Sequence, residues 1–226
     1  ATAATHSGPR GATRGATRGD PHGATRDAPA RRVRVLATRL ANSAFHGTRL
    51  DAEHIAHVLG DAVDDACARE GIARGEFARH CVYVSHETGT GGENGCAHAE
   101  MRALRKVFGD DYARLQICNT KGFTGHSMGA NVEDVAAVLF LEAGRCPGLP
   151  VARADLDPAF AHLRFASFAP DASSGPRPSS PNKTSKTIQP NPPDAPDAPR
   201  PSGEMRYALH LAAGLGSHVC VAVYAK

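Results

Sequence analysis

The chain has 226 residues, a formal net charge of +3 and 41% hydrophobic residues, enough for one globular domain or two small ones. Six of its 26 Lys and Arg, against Asp20 and Asp27, fall in residues 1–32, so the excess positive charge belongs to that stretch rather than to a binding face. With no aromatic interleaved among those arginines and no groove-reading motif, a nucleic-acid partner is not expected; without an apolar run of about 18 residues, neither is a membrane span.

Residues 1–32 repeat Gly-Ala-Thr-Arg three times and read as a low-complexity linker, because so little apolar surface cannot offset the entropy of ordering. The first residue is Ala rather than Met and no signal-type apolar core follows, so the expectation is a cytoplasmic fragment of something longer. From residue 33 the pattern changes. "RVRVLATRLANSAF" (32–45) alternates as a strand does, and Ile55, Val58, Leu59, Val63 and Ala66 recur at helical spacing.

"HCVYVS" (80–85) is a short apolar strand that runs into the loop His86-Glu87-Thr88-Gly89-Thr90. A helix is predicted at about 97–108, a strand at 114–120, and a helix at about 126–144 with Val132, Val135, Ala136 and Leu139 along one face. Between that strand and that helix lies "NTKGFTGH", Asn119 to His126. Residues 169–203, dense in Pro, Ser and Asn, predict a flexible insertion; the apolar segment 204–226 is expected to cross it and join the same sheet. Strands alternating with helices predict an α/β layered fold, and the carboxyl ends of its strands are where ligands bind. Each histidine loop follows a strand end, so His86 and His126 are expected to face one crevice.

The ordered set His86 to Thr90, Glu100, Asn119-Thr120-Lys121, Gly125-His126 and Gly214-Leu215-Gly216-Ser217 resembles the C-terminal half of a β-ketoacyl synthase, with detail closest to the condensing domains of polyketide-synthase-like assembly lines. The resemblance covers about 33–168 and 204–226. It implies the second half of a thiolase-like fold and an acyltransferase chemistry, decarboxylative Claisen condensation of acyl and malonyl thioesters in polyketide or fatty acid biosynthesis. His86 and His126 would be neutral N–H donors to the enolate oxygen. Lys121 would hold positive charge beside His126, paired with Glu100, while Gly125 allows close backbone approach and a helix start disfavours a charged His126. Thr88 and Thr90 would bind the phosphopantetheine arm, and Leu215 and Gly216 would form the substrate-binding gating loop, where the backbone N–H at Leu215 can still serve an oxyanion hole. The implied partners are an N-terminal half bearing the nucleophilic cysteine, an acyl carrier protein and, when complete, a second copy; no cofactor binds directly.

Several residues depart from that family's pattern. Glu87 replaces a glycine, where it is expected to raise the His86 pKa; Leu215 replaces a gating phenylalanine and Val219 an asparagine. None of Cys67, Cys81, Cys96, Cys118, Cys146 and Cys220 lies in the family's nucleophile context, and all read as buried reduced thiols, so the chain alone is expected to be inactive. A noncatalytic partner resembling a chain-length factor remains open. So does a zinc deaminase, on the tripeptide His98-Ala99-Glu100, although its Pro-Cys-x-x-Cys partner motif is missing.

Overall fold

A computed structural model describes residues 33–89, 95–126, 131–169 and 204–226. The low-complexity stretch 1–32 and all but the first residue of the Pro/Ser-rich insertion lie outside the described residues.

The elements are β1 (Arg34–Asn42), α1 (Ala52–Glu70), α2 (Arg74–Arg79), β2 (Cys81–Val84), α3 (Cys96–Phe108), β3 (Gln116–Cys118), α4 (Lys121–Thr124), α5 (Asn131–Ala143), β4 (Leu149–Ala152), β5 (Arg164–Phe165), β6 (Phe168–Ala169), β7 (Tyr207–Gly214) and β8 (His218–Ala225). Six strands form a mixed sheet in the order β1-β8-β7-β2-β3-β5, and β4 pairs with β6 apart from it. The β2, β3, β5 and β7 strands run parallel, whereas β8 is antiparallel to both β7 and β1. The segment after the insertion thus forms a hairpin in the middle of the sheet, joining it as expected.

Alternation along the strands builds a core on each face. Cys81, Tyr83, Tyr207, Leu209, Leu211, Val219, Val221 and Val223 pack toward α1 and α3. Val82, Val84, Ala208, Ala222 and Tyr224 pack with Ala137 and Leu141 of α5. All four residues of β2 are consequently buried, as a strand covered on both faces requires. The α1 helix begins where the Asp51 carboxylate accepts the Glu53 and His54 amides at 3.0 and 3.2 Å. It ends at Gly71, whose φ of 68° suits a glycine.

Two predicted elements differ. The strand expected over 114–120 is only Gln116–Cys118, because 109–114 form a 3-10 helix. The face of α5 expected from Val132, Val135 and Leu139 is 46%, 59% and 55% exposed, while Glu133 is 2% exposed. Polar partners beneath the helix, described below, override its apolar periodicity. Val219, where an asparagine was expected, is core.

Candidate functional site

The carboxyl ends of β2 and β3 are tied together before they diverge into the two histidine loops. The Ser85 amide donates to Cys118 O at 2.9 Å, extending the strand pairing by one residue. One step further on, the Asn119 side chain donates to Glu87 O at 2.7 Å and accepts the Gly122 amide at 2.8 Å. These bonds bring the His86 and His126 rings to a centroid separation of 6.4 Å at an interplanar angle of 77°. The shared crevice expected from the sequence is present.

His86 is 7% exposed. Its Nδ1 accepts the Ala213 amide of β7 at 3.2 Å, so a neutral ring carries its proton on Nε2. Burial, followed by the charge of Lys121 and the proximity of His126 and His210, pushes the His86 pKa down to about 4. The ring is therefore a neutral Nε2–H donor at pH 7.

This overturns the expected effect of Glu87. Its two carboxylate oxygens instead accept the Gly89 and Ala97 amides, each at 2.5 Å. Ala97 lies in the first turn of α3, so Glu87 caps that helix from ten residues upstream and its charge is met by oriented N–H groups.

Lys121 opens α4 and is 8% exposed. Its Nζ lies 2.7 Å from Glu133 Oε1, with both side chains almost wholly buried. The expected pairing with Glu100 is thus incorrect. Glu100, fully buried, accepts the Tyr83 hydroxyl at 2.6 Å and the His86 amide at 3.0 Å. Burial pushes its pKa up to about 7, with a small further push from the Glu87 charge, and the hydrogen bonds from Tyr83, Ser85 and the His86 amide offset this only in part. Glu100 supports His86 through the backbone, and Glu133, which sequence reasoning missed, balances Lys121.

Behind Glu133 lies a further polar cluster the sequence reading did not include. His210 of β7 donates from Nδ1 to Asp134 Oδ1 at 2.6 Å, and the Tyr224 hydroxyl donates to the same oxygen at 2.8 Å. His210 Nε2 is 3.9 Å from Glu133 Oε2. Burial favours a protonated Asp134, but the His210 and Tyr224 hydrogen bonds outweigh it and hold the carboxyl below its ordinary range. A histidine within the apolar run "YALHLAAG" was the available signal.

His126 is exposed and follows α4, while residues 127–130, where a helix was expected to begin behind it, lie outside the described residues. Gly125 has a φ of 74° with open space where a Cβ would stand, so it serves the turn. Close approach belongs instead to Gly122, where an added Cβ would lie 2.4 Å from Pro150 Cγ.

Thr88 lines the crevice with its Oγ1 3.7 Å from Cys96 Sγ; Thr90 lies outside the described residues. Leu215 is 73% exposed at the rim. The Gly216 amide donates to Gly47 O at 2.9 Å. Ser217, next in this turn, exchanges hydrogen bonds with the His46 backbone at 2.9 and 2.8 Å.

Together His86, Thr88, Lys121, His126, Glu133 and Leu215 help line an open cavity of about 590 Å³. Cys96 also borders it, and Cys96, Cys146 and Cys220 are only partly buried, contrary to the expectation that all six cysteines are buried. The pair His98 and Glu100 does not converge: His98 packs on Phe160 at 4.7 Å and faces Asp157 at 3.9 Å, while Glu100 is bonded under His86. Among the described residues, no helix is long and apolar enough to cross a membrane.

No family model matches the sequence, and no curated protein matches it. Solved structures do. The ishigamide ketosynthase/chain length factor is 21% identical with a TM-score of 0.54, over 85% of this chain and 37% of that one. A β-ketoacyl synthase from Burkholderia phymatum STM815 is 15% identical with a TM-score of 0.52, over 86% and 37%. Ketosynthase twelve from the bacillaene polyketide synthase in Bacillus amyloliquefaciens is 15% identical with a TM-score of 0.51, over 85% and 30%. The chain has a partial ketosynthase-like fold and spans little more than a third of the first of these structures.

Proposed function

We propose that this chain is the enolate-stabilising half of a β-ketoacyl synthase, with His86 and His126 as donors and Lys121 as their electrostatic support. The observation that carries the reading is the 6.4 Å pairing of the two imidazoles, one of them held neutral with its free proton on Nε2 above a buried Lys121–Glu133 pair.

Decarboxylation of a malonyl thioester breaks the bond between the α-carbon and the carboxylate and leaves an enolate. Charge then concentrates on the thioester oxygen, and two N–H donors that face the cavity without reorganising lower that barrier. A protonated His86 would favour the malonyl carboxylate in the ground state, whereas a neutral one gains most as the oxyanion develops. Lys121 suits this role because its charge raises the cost of protonating His86, while Glu133 keeps the lysine itself buried. The enolate carbon then attacks an acyl thioester on a cysteine supplied by the other half, and the acyl carbon–sulfur bond breaks.

The exposed stripe Val132, Val135 and Leu139 on α5 supports a partner layer over this face. Within this reading Thr88, with Thr90, contacts the phosphopantetheine of an acyl carrier protein, Leu215 and Gly216 shape the gate, and the complete enzyme is a homodimer in the cytoplasm.

The test is reconstitution with an N-terminal ketosynthase half carrying the cysteine. The isolated chain is expected to form no β-ketoacyl product, and the reconstituted enzyme is expected to form it. If the nucleophile-bearing half condenses only in this chain's presence yet is indifferent to His86→Ala and His126→Ala, the chain is a noncatalytic partner of the chain-length-factor kind.

A further inference from the structure

The α5 helix turns two consecutive carboxylates toward the sheet, Glu133 and Asp134, and Lys121 answers only the first, at 2.7 Å. Between the two acids stands the buried ring of His210 on β7. Its Nδ1 is 2.6 Å from Asp134 Oδ1, which the Tyr224 hydroxyl of β8 also reaches at 2.8 Å. Its Nε2 faces Glu133 Oε2 at 3.9 Å, too far for a hydrogen bond, and has no hydrogen-bond partner among the described residues. A buried histidine with one nitrogen unsatisfied costs stability, and apolar residues at 134 and 210 would avoid that cost. The condensation chemistry leaves this cluster unused, yet β7 also holds His86: three residues after His210, the Ala213 amide donates to His86 Nδ1 at 3.2 Å.

We propose that His210 is a positioning residue for this site: it engages both carboxylates of α5, so that Glu133 stays on Lys121 and the Asp134 charge is met where it lies instead of acting on the crevice.

The direction of the effect follows from the charges. Two carboxylates against one ammonium leave one negative charge beside Lys121, and a negative charge in a protein interior draws a proton onto a nearby imidazole. With His210 in place, that charge is met by the Nδ1–H and by the Tyr224 hydroxyl, and His210 acts on His86 in the same sense as Lys121, against protonation. Without His210, Asp134 keeps only Tyr224, and Glu133 loses the group that faces its second oxygen. What a neutral His86 does rests on the condensation reading; the source of the field on its ring does not.

Histidine-ring NMR on the full chain, with no partner added, tests the assignment. In the wild type, His210 is expected to carry a hydrogen-bonded Nδ1–H with a far-downfield, slowly exchanging signal; a bare Nδ1 overturns the proposal. His210→Leu is expected to raise the His86 titration midpoint from about 4 by about one pH unit, and adding Asp134→Asn is expected to bring it back. An unmoved His86 midpoint in folded His210→Leu, or a rise in Asp134→Asn alone, overturns the proposal, because a brace that only stabilises the fold leaves that titration in place. If His210→Leu does not fold, the wild-type signal and Asp134→Asn decide.

In the enzyme completed with its cysteine-bearing half, the acidic limb of the pH–rate profile for malonyl-thioester decarboxylation is expected to move up by the same amount in His210→Leu and to return in the double variant. The two readings fail separately. A His86 midpoint that moves, in an enzyme whose decarboxylation ignores His86→Ala, supports the role of His210 and removes the condensation reading; an unmoved midpoint, in an enzyme that His86→Ala slows, does the reverse.

Discussion

Glu100 and Glu133 are both almost completely buried, one under each histidine loop, yet they are stabilised by different chemistry. Glu100 meets neutral donors, the Tyr83 and Ser85 hydroxyls and the His86 amide, and burial raises its pKa to about 7. Glu133 meets the ammonium of Lys121 at 2.7 Å. A buried carboxyl with neutral partners relieves its desolvation by taking up a proton; one with a cation relieves it by pairing. The first arrangement places a titrating group below His86, and the second places a fixed positive charge beside it. The contrast predicts how each loop fails.

Breaking the ion pair has the largest expected effect. Glu133→Leu leaves Lys121 buried without its counter-ion and is expected to cost about 3–5 kcal/mol in urea unfolding. The double variant Glu133→Leu with Lys121→Met removes both charges and is expected to recover most of that loss. Equal losses in single and double variants would mean that the pair is not coupled.

His86 and Glu100 impose opposite pH dependences over nearly the same range. The native state keeps His86 neutral down to about pH 4 while an unfolded histidine protonates near 6.5, so its contribution is present above pH 6.5 and is lost as pH falls through that window, by up to about 3 kcal/mol. Glu100 behaves in the other sense: its native carboxyl is raised to about 7, so its contribution is fullest below about pH 4.5 and is lost as pH rises toward 7. His86→Gln is expected to remove the first dependence and Glu100→Gln the second. Side-chain NMR is expected to show His86 protonated on Nε2 and untitrated from pH 8 to about 5.

Asn119→Ala is expected to have a smaller effect, about 1–2 kcal/mol, because it removes the bond to Glu87 O and the acceptor for the Gly122 amide. Amide exchange at Gly122 is expected to accelerate while the centre of β2 keeps its protection. Asp51→Ala, remote from the site, is expected to cost about 1 kcal/mol and to leave exchange in both histidine loops unchanged.

The same contrast marks how far the sequence could be read. Strands β2, β7 and β8 were legible because residues buried on both faces form apolar runs, and the two histidine loops because each follows such a run. Partners across the fold were not. Lys121 finds Glu133 only when α5 lies against the sheet, and nothing in local spacing distinguishes Glu133 from Glu100 as its counter-ion. Glu87 looked like a neighbour of His86 because they are adjacent in sequence, but its carboxylate is turned into the start of α3. The apolar stripe on α5 was read as a core face, but the helix buries Glu133 instead. Periodicity identifies a face, not the layer that covers it.

The central claim is that the two imidazoles stabilise an enolate. It is tested most directly by the rate of malonyl-thioester decarboxylation in the enzyme completed with its cysteine-bearing half, measured with His86→Ala, His126→Ala and both changes together. Each single change is expected to slow decarboxylation on the order of a hundredfold or more, as loss of a preorganised oxyanion donor does, with acylation of the cysteine affected less. Decarboxylation at the unaltered rate when both His86 and His126 are alanine would contradict the account.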